Sequence, residues 1–270
     1  MSRWLGRSVF AQYLLARSML DWRRWLGVAF AGGLLLTWQL LAETRVLSPV
    51  FFPAPSRAIA ELWARVADGT LWPSLVATLW RMTVGWLLAG LIGIALGAAI
   101  GSSRLAREYL APTLEFFRPL PASAIIPVAI LFLGLSDAMG LAVIAFGAVW
   151  PVLLGAVYGF ANIKPRLKEV AAAMQMSRLD TFAKIALPSA LPDIISGARI
   201  SLAIALILAV VVEMQASLPG IGRDIMLAQR SFRSAELYAG LIILGLVGFA
   251  VSHGLRMIEA RLLHWREVGR

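Results

Sequence analysis

Chemistry at a metal or a nucleophile needs clustered histidine, cysteine, carboxylate or serine groups, and this chain offers few. Cysteine is absent, and the two histidines, His253 and His264, stand without a histidine or carboxylate partner at ligand spacing. A disulfide framework and a thiolate metal site are therefore excluded, and no metal ligand set is expected. No serine–histidine pair or histidine–carboxylate cluster presents itself, so the chain reads as a non-enzyme. A phosphate-binding loop needs Gly-Lys-Ser/Thr, yet Lys164, Lys168 and Lys184, the only lysines, follow Ile163, Leu167 and Ala183. What remains is charge inside apolar segments: Glu115, Arg118 and Glu213. Ionisable side chains there are costly in a membrane and mark function by default. Glu115 and Arg118 are spaced to neutralise each other on one helix face, while Arg118 has two other readings, facing an anion or snorkelling to the interface.

The elements that carry these residues are membrane spans. Of 270 residues 60% are hydrophobic and 15% charged, more apolar surface than a soluble domain of this length can hide. A span needs about 20 predominantly apolar residues. Six segments qualify, near 25–42, 77–101, 111–135, 138–160, 194–215 and 236–258. The third, with "FRPLPASAIIP", places three prolines at membrane depth, where non-helical backbone is tolerated only beside protein or a water-filled cavity. Gly85, Gly93, Gly97 and Gly101 form a small-residue face on the second span, suited to close helix packing.

The formal charge of +10 would suggest nucleic acid in a soluble protein; here its placement reports orientation and no nucleic acid is expected. With alternate ends of the spans compared, 17 Lys and Arg fall on the side of both termini, the Arg104/Arg107 loop and the 161–199 region, against 6 on the other. Both termini are thereby expected in the cytoplasm. Residues 1–24 read as a retained basic amphipathic helix at the membrane surface rather than a signal peptide. A membrane domain then runs over 25–265, with a polar loop at 164–192 and a short tail at 266–270. On the outer side, "PSRAIAELWARVADG" reads as a surface helix ending on Gly69, and "MQASLPGIGRDIMLAQRSFRSAE" as a partial helix folding back.

The polar loop has a pattern of its own. Leu167, Val170, Ala171 and Met174 recur at helical spacing as an apolar stripe, Ser177 and Asp180 form a capping box, and Asp180 can pair with Lys184. Pro188 is expected to end this second helix. The result is a helix-turn-helix across one end of the bundle, or an ordinary interfacial loop; the pattern alone does not choose.

The stretch "EVAAAMQMSRLDTFAKIALPSALP" resembles the EAA loop of bacterial ABC importer permeases. Glu169 matches the glutamate, Ala171 the second small residue, and Ile185, Leu187 and Pro188 the terminal Ile-x-Leu-Pro; Val170 and Gln175 depart, Gln175 standing where the turn glycine is usual. "FFPAPSRAIAELW", "FRPLPASAIIPVAILFLGLSD", "ALPSALPDIISGARISLAIAL" and "VVVEMQASLPGIG" extend the resemblance to the sulfonate, taurine and nitrate branch over roughly residues 47 to 265. That resemblance implies an all-α, six-span type I ABC importer permease with a cytoplasmic coupling helix, in a bacterial inner membrane. It implies as partners a second permease copy, two cytoplasmic ATPase subunits, which bind the ATP and magnesium, a periplasmic or extracellular solute-binding protein, and membrane lipid. The coupling residues it implies are Glu169, Ala171, Ala172, Gln175, Met176, Ser177, Ile185, Leu187 and Pro188, and along the path Arg118, Pro119, Pro121 and Glu213. A carboxylate repels an anion, so Glu213 is expected in a structural hydrogen bond or a gate. The alternative is a secondary carrier or another polytopic membrane protein not driven by an ATPase; a carrier should show acidic or histidine relays in mid-span and internal repeats, and neither is evident.

Overall fold

In the computed structural model, which describes residues 26–263, helices and their turns account for the chain, and no strand occurs among the described residues. The readings for residues 1–24, for 266–270 and for His264 fall outside the described residues. Helix α1 (Leu26–Glu43) is followed by the short α2 (Pro55–Ala67) and the long α3 (Leu71–Ser102). Next come α4 (Arg104–Phe117), α5 (Ala122–Leu133) and α6 (Asp137–Ala161). The polar loop holds α7 (Pro165–Ala173) and α8 (Arg178–Thr181), and a π-turn at Phe182–Ala186 leads without a break into α9 (Leu187–Ala216). The chain closes on α10 (Ile221–Arg230) and α11 (Ser234–Leu262). Helices α1, α3, α6, α9 and α11 are long and apolar enough to cross a membrane, and α4 with α5 counts as a sixth span when the bent pair is taken together.

Two expectations need correcting. The third span is not one helix: α4 and α5 meet at 89° across Arg118–Pro121. Pro119 and Pro121 remove two amide donors within three residues, which leaves no continuous hydrogen-bond ladder. Pro188 does not end a helix either; it follows directly on the π-turn Phe182–Ala186, where the hydrogen-bond ladder is already shifted, and the helix continues to Ala216. The segments read as a surface helix and as a partial helix form α2 and α10. In α2, Leu62 and Val66 pack with Leu71, Ile221, Ile225 and Ile243, while Gly69 follows with a positive φ of 82°.

Helices α3, α6 and α9 form the centre, and their contact is set by what is missing from the side chains. A methyl group added to Gly85 would lie 2.8 Å from Ile144 Cβ, one on Gly93 3.1 Å from Val152 Cβ, and one on Gly101 2.8 Å from Phe160 Cβ. The α6–α9 seam is as close and meets backbone, because a methyl on Gly155 would lie 2.5 Å from the Asp193 carbonyl oxygen and one on Gly197 would strike the Pro151 carbonyl. In lipid no hydrophobic force draws helices together, so such close approach supplies the dispersion contacts that do. Ser201 Oγ donates to the Ala148 carbonyl at 2.6 Å, and Trp86 Nε1 to the Ala198 carbonyl at 3.0 Å. Gly197→Ala is accordingly expected to destabilise the bundle by about 1–3 kcal/mol through overpacking. Gly90→Ala, where a methyl meets nothing within 4 Å, should keep or slightly raise the melting temperature in detergent.

Candidate functional site

Three groups of residues stand out, and the end of the bundle near Ala161 and Leu187 is its basic end. At the opposite end Glu213, fully buried on α9, accepts from Arg81 Nη1 at 2.8 Å, Thr78 Oγ1 at 2.9 Å and the Gly222 amide at 2.9 Å. Arg81 on α3 also donates through Nε to Asp137 Oδ1 at 2.6 Å and through Nη1 to the Pro219 carbonyl at 2.5 Å. The Ile221 amide donates to Thr78 Oγ1 at 3.0 Å. One carboxylate thus ties α3, α6, α9 and the Leu218–Gly222 turn into a single polar knot. Any side chain at Gly220 would strike the Glu213 carboxylate, and a methyl on Gly222 would lie 3.0 Å from Glu213 Cβ, so the turn needs glycine at both positions. Reading the sequence singled out Glu213 and missed Thr78, Arg81 and Asp137. The missed signal was Arg81, an arginine within the apolar run "SLVATLWRMTVGWLLAG", which by the cost of burying charge demands a carboxylate partner.

The second group is the hairpin at the basic end. Helix α7 ends in a Schellman motif: the Met176 amide donates to the Ala171 carbonyl and the Gln175 amide to the Ala172 carbonyl, both at 3.0 Å. Gln175 is the left-handed residue of this motif, with φ 49°, so the turn keeps the conformation that glycine usually supplies. Glutamine there carries a steric penalty of about 1–2 kcal/mol. Gln175→Gly is therefore expected to raise stability by up to about 1 kcal/mol, read as a higher melting temperature, with transport retained.

Ser177 Oγ then caps α8, accepting from the Asp180 amide at 3.1 Å, and Lys184 Nζ pairs with Asp180 Oδ1 at 2.6 Å. Phe182 stacks on Phe160 with ring centroids 5.6 Å apart, which pins the π-turn to the end of α6. Ile185, Leu187 and Pro188 are half-buried beside it. Of the predicted apolar stripe only Ala171 is buried; Leu167, Val170 and Met174 are exposed, because the hairpin projects from the bundle and touches it mainly through the π-turn. Leu179 at the tip is 82% exposed, and Glu169 and Ala172 are exposed as well, with Met176 half-buried. Glu169 makes no side-chain hydrogen bond or ion pair among the described residues. Single-turn π segments inside α-helices recur at functional sites, and this one makes the hairpin's second arm continuous with α9.

The third group surrounds the break between α4 and α5. Arg118, Pro119 and Pro121 are exposed, and no ion pair joins Arg118 to Glu115. These residues lie apart from Glu213, so the structure does not bring the four path residues into one site.

A protein-family model for "Binding-protein-dependent transport system inner membrane component" matches residues 89–264. The chain is 31% identical over 240 residues to the putative aliphatic sulfonates transport permease protein SsuC of Bacillus subtilis (strain 168), covering 89% of this chain and 87% of that protein. It is 29% identical to the taurine transport system permease protein TauC of Escherichia coli (strain K12), covering 86% of each. Identity to the nitrate import permease protein NrtB of Leptolyngbya laminosa is 31%, over 89% and 88% of the two chains. Among solved structures, a chain of the MetNI methionine ABC transporter superposes with a TM-score of 0.60 at 19% identity, over 71% of this chain and 95% of that one. A chain of an amino acid ABC transporter gives 0.56 at 15% identity, over 73% and 94%. The fold is that of type I ABC importer permeases, and the chain belongs to the family of binding-protein-dependent transport system inner membrane components.

Proposed function

We propose that the chain, paired with a second copy of itself, forms the path by which a small sulfonate-like, taurine-like or nitrate-like anion enters the cell. ATP hydrolysis by two separate cytoplasmic subunits drives it, and an external solute-binding protein delivers the solute. The basic end faces the cytoplasm, as the 17-to-6 distribution of Lys and Arg supports. Coupling runs through Glu169–Pro188. The observation that carries this reading is the hairpin itself: it projects from the basic end, offers Leu179, Met174 and an unpartnered Glu169 outward, and is continuous with α9 through the π-turn. A partner that grips the hairpin moves α9, which is rigid-body gating between two packings, with no chemistry on the solute. Glu213 and its polar knot then act as a structural fastening at the outer end, while Arg118, Pro119 and Pro121 border the path. Affinity purification of the tagged chain from the native membrane tests the assembly. An ATPase subunit that co-purifies, and whose loss abolishes uptake, supports the reading; uptake intact without it refutes the reading.

A further inference from the structure

The break between α4 and α5 lies beside the middle of α6. Ala122, the first residue of α5, abuts Gly147, where an added methyl would lie 2.7 Å from Ala122 Cβ. Gly147 is ten residues from the start of α6 and fourteen from its end, so Arg118–Pro121 lies near the midpoint of a helix roughly 37 Å long. Beside that break is a cavity of about 210 Å³ lined by Ile100, Arg107, Leu114, Glu115, Arg118, Trp150, Leu154 and Val157. It extends from the basic end, where Arg107 donates to the Gly101 carbonyl, inward to Trp150, eleven residues or about 16 Å from the end of α6.

Its charges are not settled by the chain's own contacts. Arg118 has no hydrogen-bond or ion-pair partner among the described residues, and neither has Glu115. The Trp150 indole N–H is buried with no acceptor. A buried donor without a partner is rare and points to a missing ligand or water. Unpaired charge at membrane depth is stable only when it faces a polar occupant or a water-filled space. Two arginines against one glutamate leave the cavity with one net positive charge, its remaining walls are apolar, and its volume is below the 300–1,000 Å³ of common ligand pockets.

We infer that this cavity is a binding site for a small oxyanion with a short apolar body, its anionic head on Arg118 and Arg107 with an oxygen accepting from the Trp150 indole N–H, and its body against Leu114, Leu154 and Val157. A lipid headgroup carries the same chemistry but sits at the interface, whereas Trp150 is about 16 Å deep. The inference rests on the permease reading for its role as a station of the solute. Binding itself is independent of any ATPase.

The chain has no cysteine, so one introduced thiol reports cleanly. Leu114→Cys in the full chain, held in phosphatidylcholine nanodiscs, is labelled with an ethanesulfonate thiosulfonate reagent and with its trimethylammonium counterpart. The anionic reagent is expected to react about tenfold faster relative to the cationic one than it does with a free thiol, as positive clefts concentrate anions. The preference should vanish in Arg118→Gln, persist in Arg118→Lys and increase in Glu115→Gln, and excess ethanesulfonate should protect the thiol. No preference, or one unchanged in Arg118→Gln, overturns the site. Protection by added phosphatidylglycerol but not by ethanesulfonate assigns the cavity to lipid and overturns it equally. Because no ATPase is present, a negative labelling result leaves the permease reading standing, and failure of ATP-driven uptake leaves this site standing.

Discussion

Replacing Glu213 by alanine is expected to lower the stability of the folded bundle by about 3–5 kcal/mol, well beyond the effect expected of Gly197→Ala. The reason is Arg81, which stays buried at 4% exposure and loses the carboxylate at 2.8 Å that compensates its charge. Asp137 would remain on Nε at 2.6 Å, but its side chain is 62% exposed and cannot neutralise the inner face of the guanidinium. Thr78 and the Gly222 amide would lose their acceptor as well, each at roughly 1–3 kcal/mol for an unsatisfied buried group. Thermal unfolding in detergent, with protease sensitivity of the Leu218–Gly222 turn alongside, reads the loss. The double variant Arg81→Gln/Glu213→Gln separates charge from shape: it removes both charges and should recover part of the stability lost in either single change. No recovery would mean that packing alone matters at this point.

The second large effect belongs to the hairpin. Leu179→Asp is expected to abolish coupling, so that uptake by the complex falls at least about 30-fold while insertion and helix content are unchanged. Leu179 is 82% exposed in the isolated chain, and a leucine at the tip of a projecting hairpin contributes nothing to this chain's own core. Its contribution comes only when a partner buries it. Deleting 172–182 should uncouple ATP hydrolysis from uptake in the same way, and Glu169→Ala should weaken the coupling. Normal uptake in Leu179→Asp would place the ATPase contact elsewhere on the basic end.

Particular residues show how far the sequence could be read. Spans α3, α6, α9 and α11 were legible because long apolar runs leave a chain in lipid no alternative to helix. The glycine face of α3 was legible from spacing, whereas the pair Gly155 and Gly197 was not, since their contact joins α6 to α9 across forty residues. The polar knot was half legible: Glu213 was visible in its run, but Arg81 and Asp137 become its partners only through folding. Ser177, Asp180 and Lys184 were read correctly because capping and i,i+4 pairing are local. Two local rules failed. Pro188 looked like a terminator, but the π-turn before it lets one helix run from Arg178 to Ala216. At Gln175 the usual preference for glycine is overridden, because a Schellman motif fixes the left-handed conformation through hydrogen bonds that any residue with an amide can make. Glu115 and Arg118, spaced for a helix-face pair, remain apart because Arg118 lies where α4 ends.

The most direct measurement is uptake into proteoliposomes holding the permease, its ATPase and the solute-binding protein, with ethanesulfonate, taurine and nitrate as probes. Uptake of at least one of these anions that requires ATP on the side of the hairpin, survives an ionophore and disappears when 172–182 is deleted is the expected result. Uptake by the chain alone, driven by an ion gradient and indifferent to ATP, would contradict it.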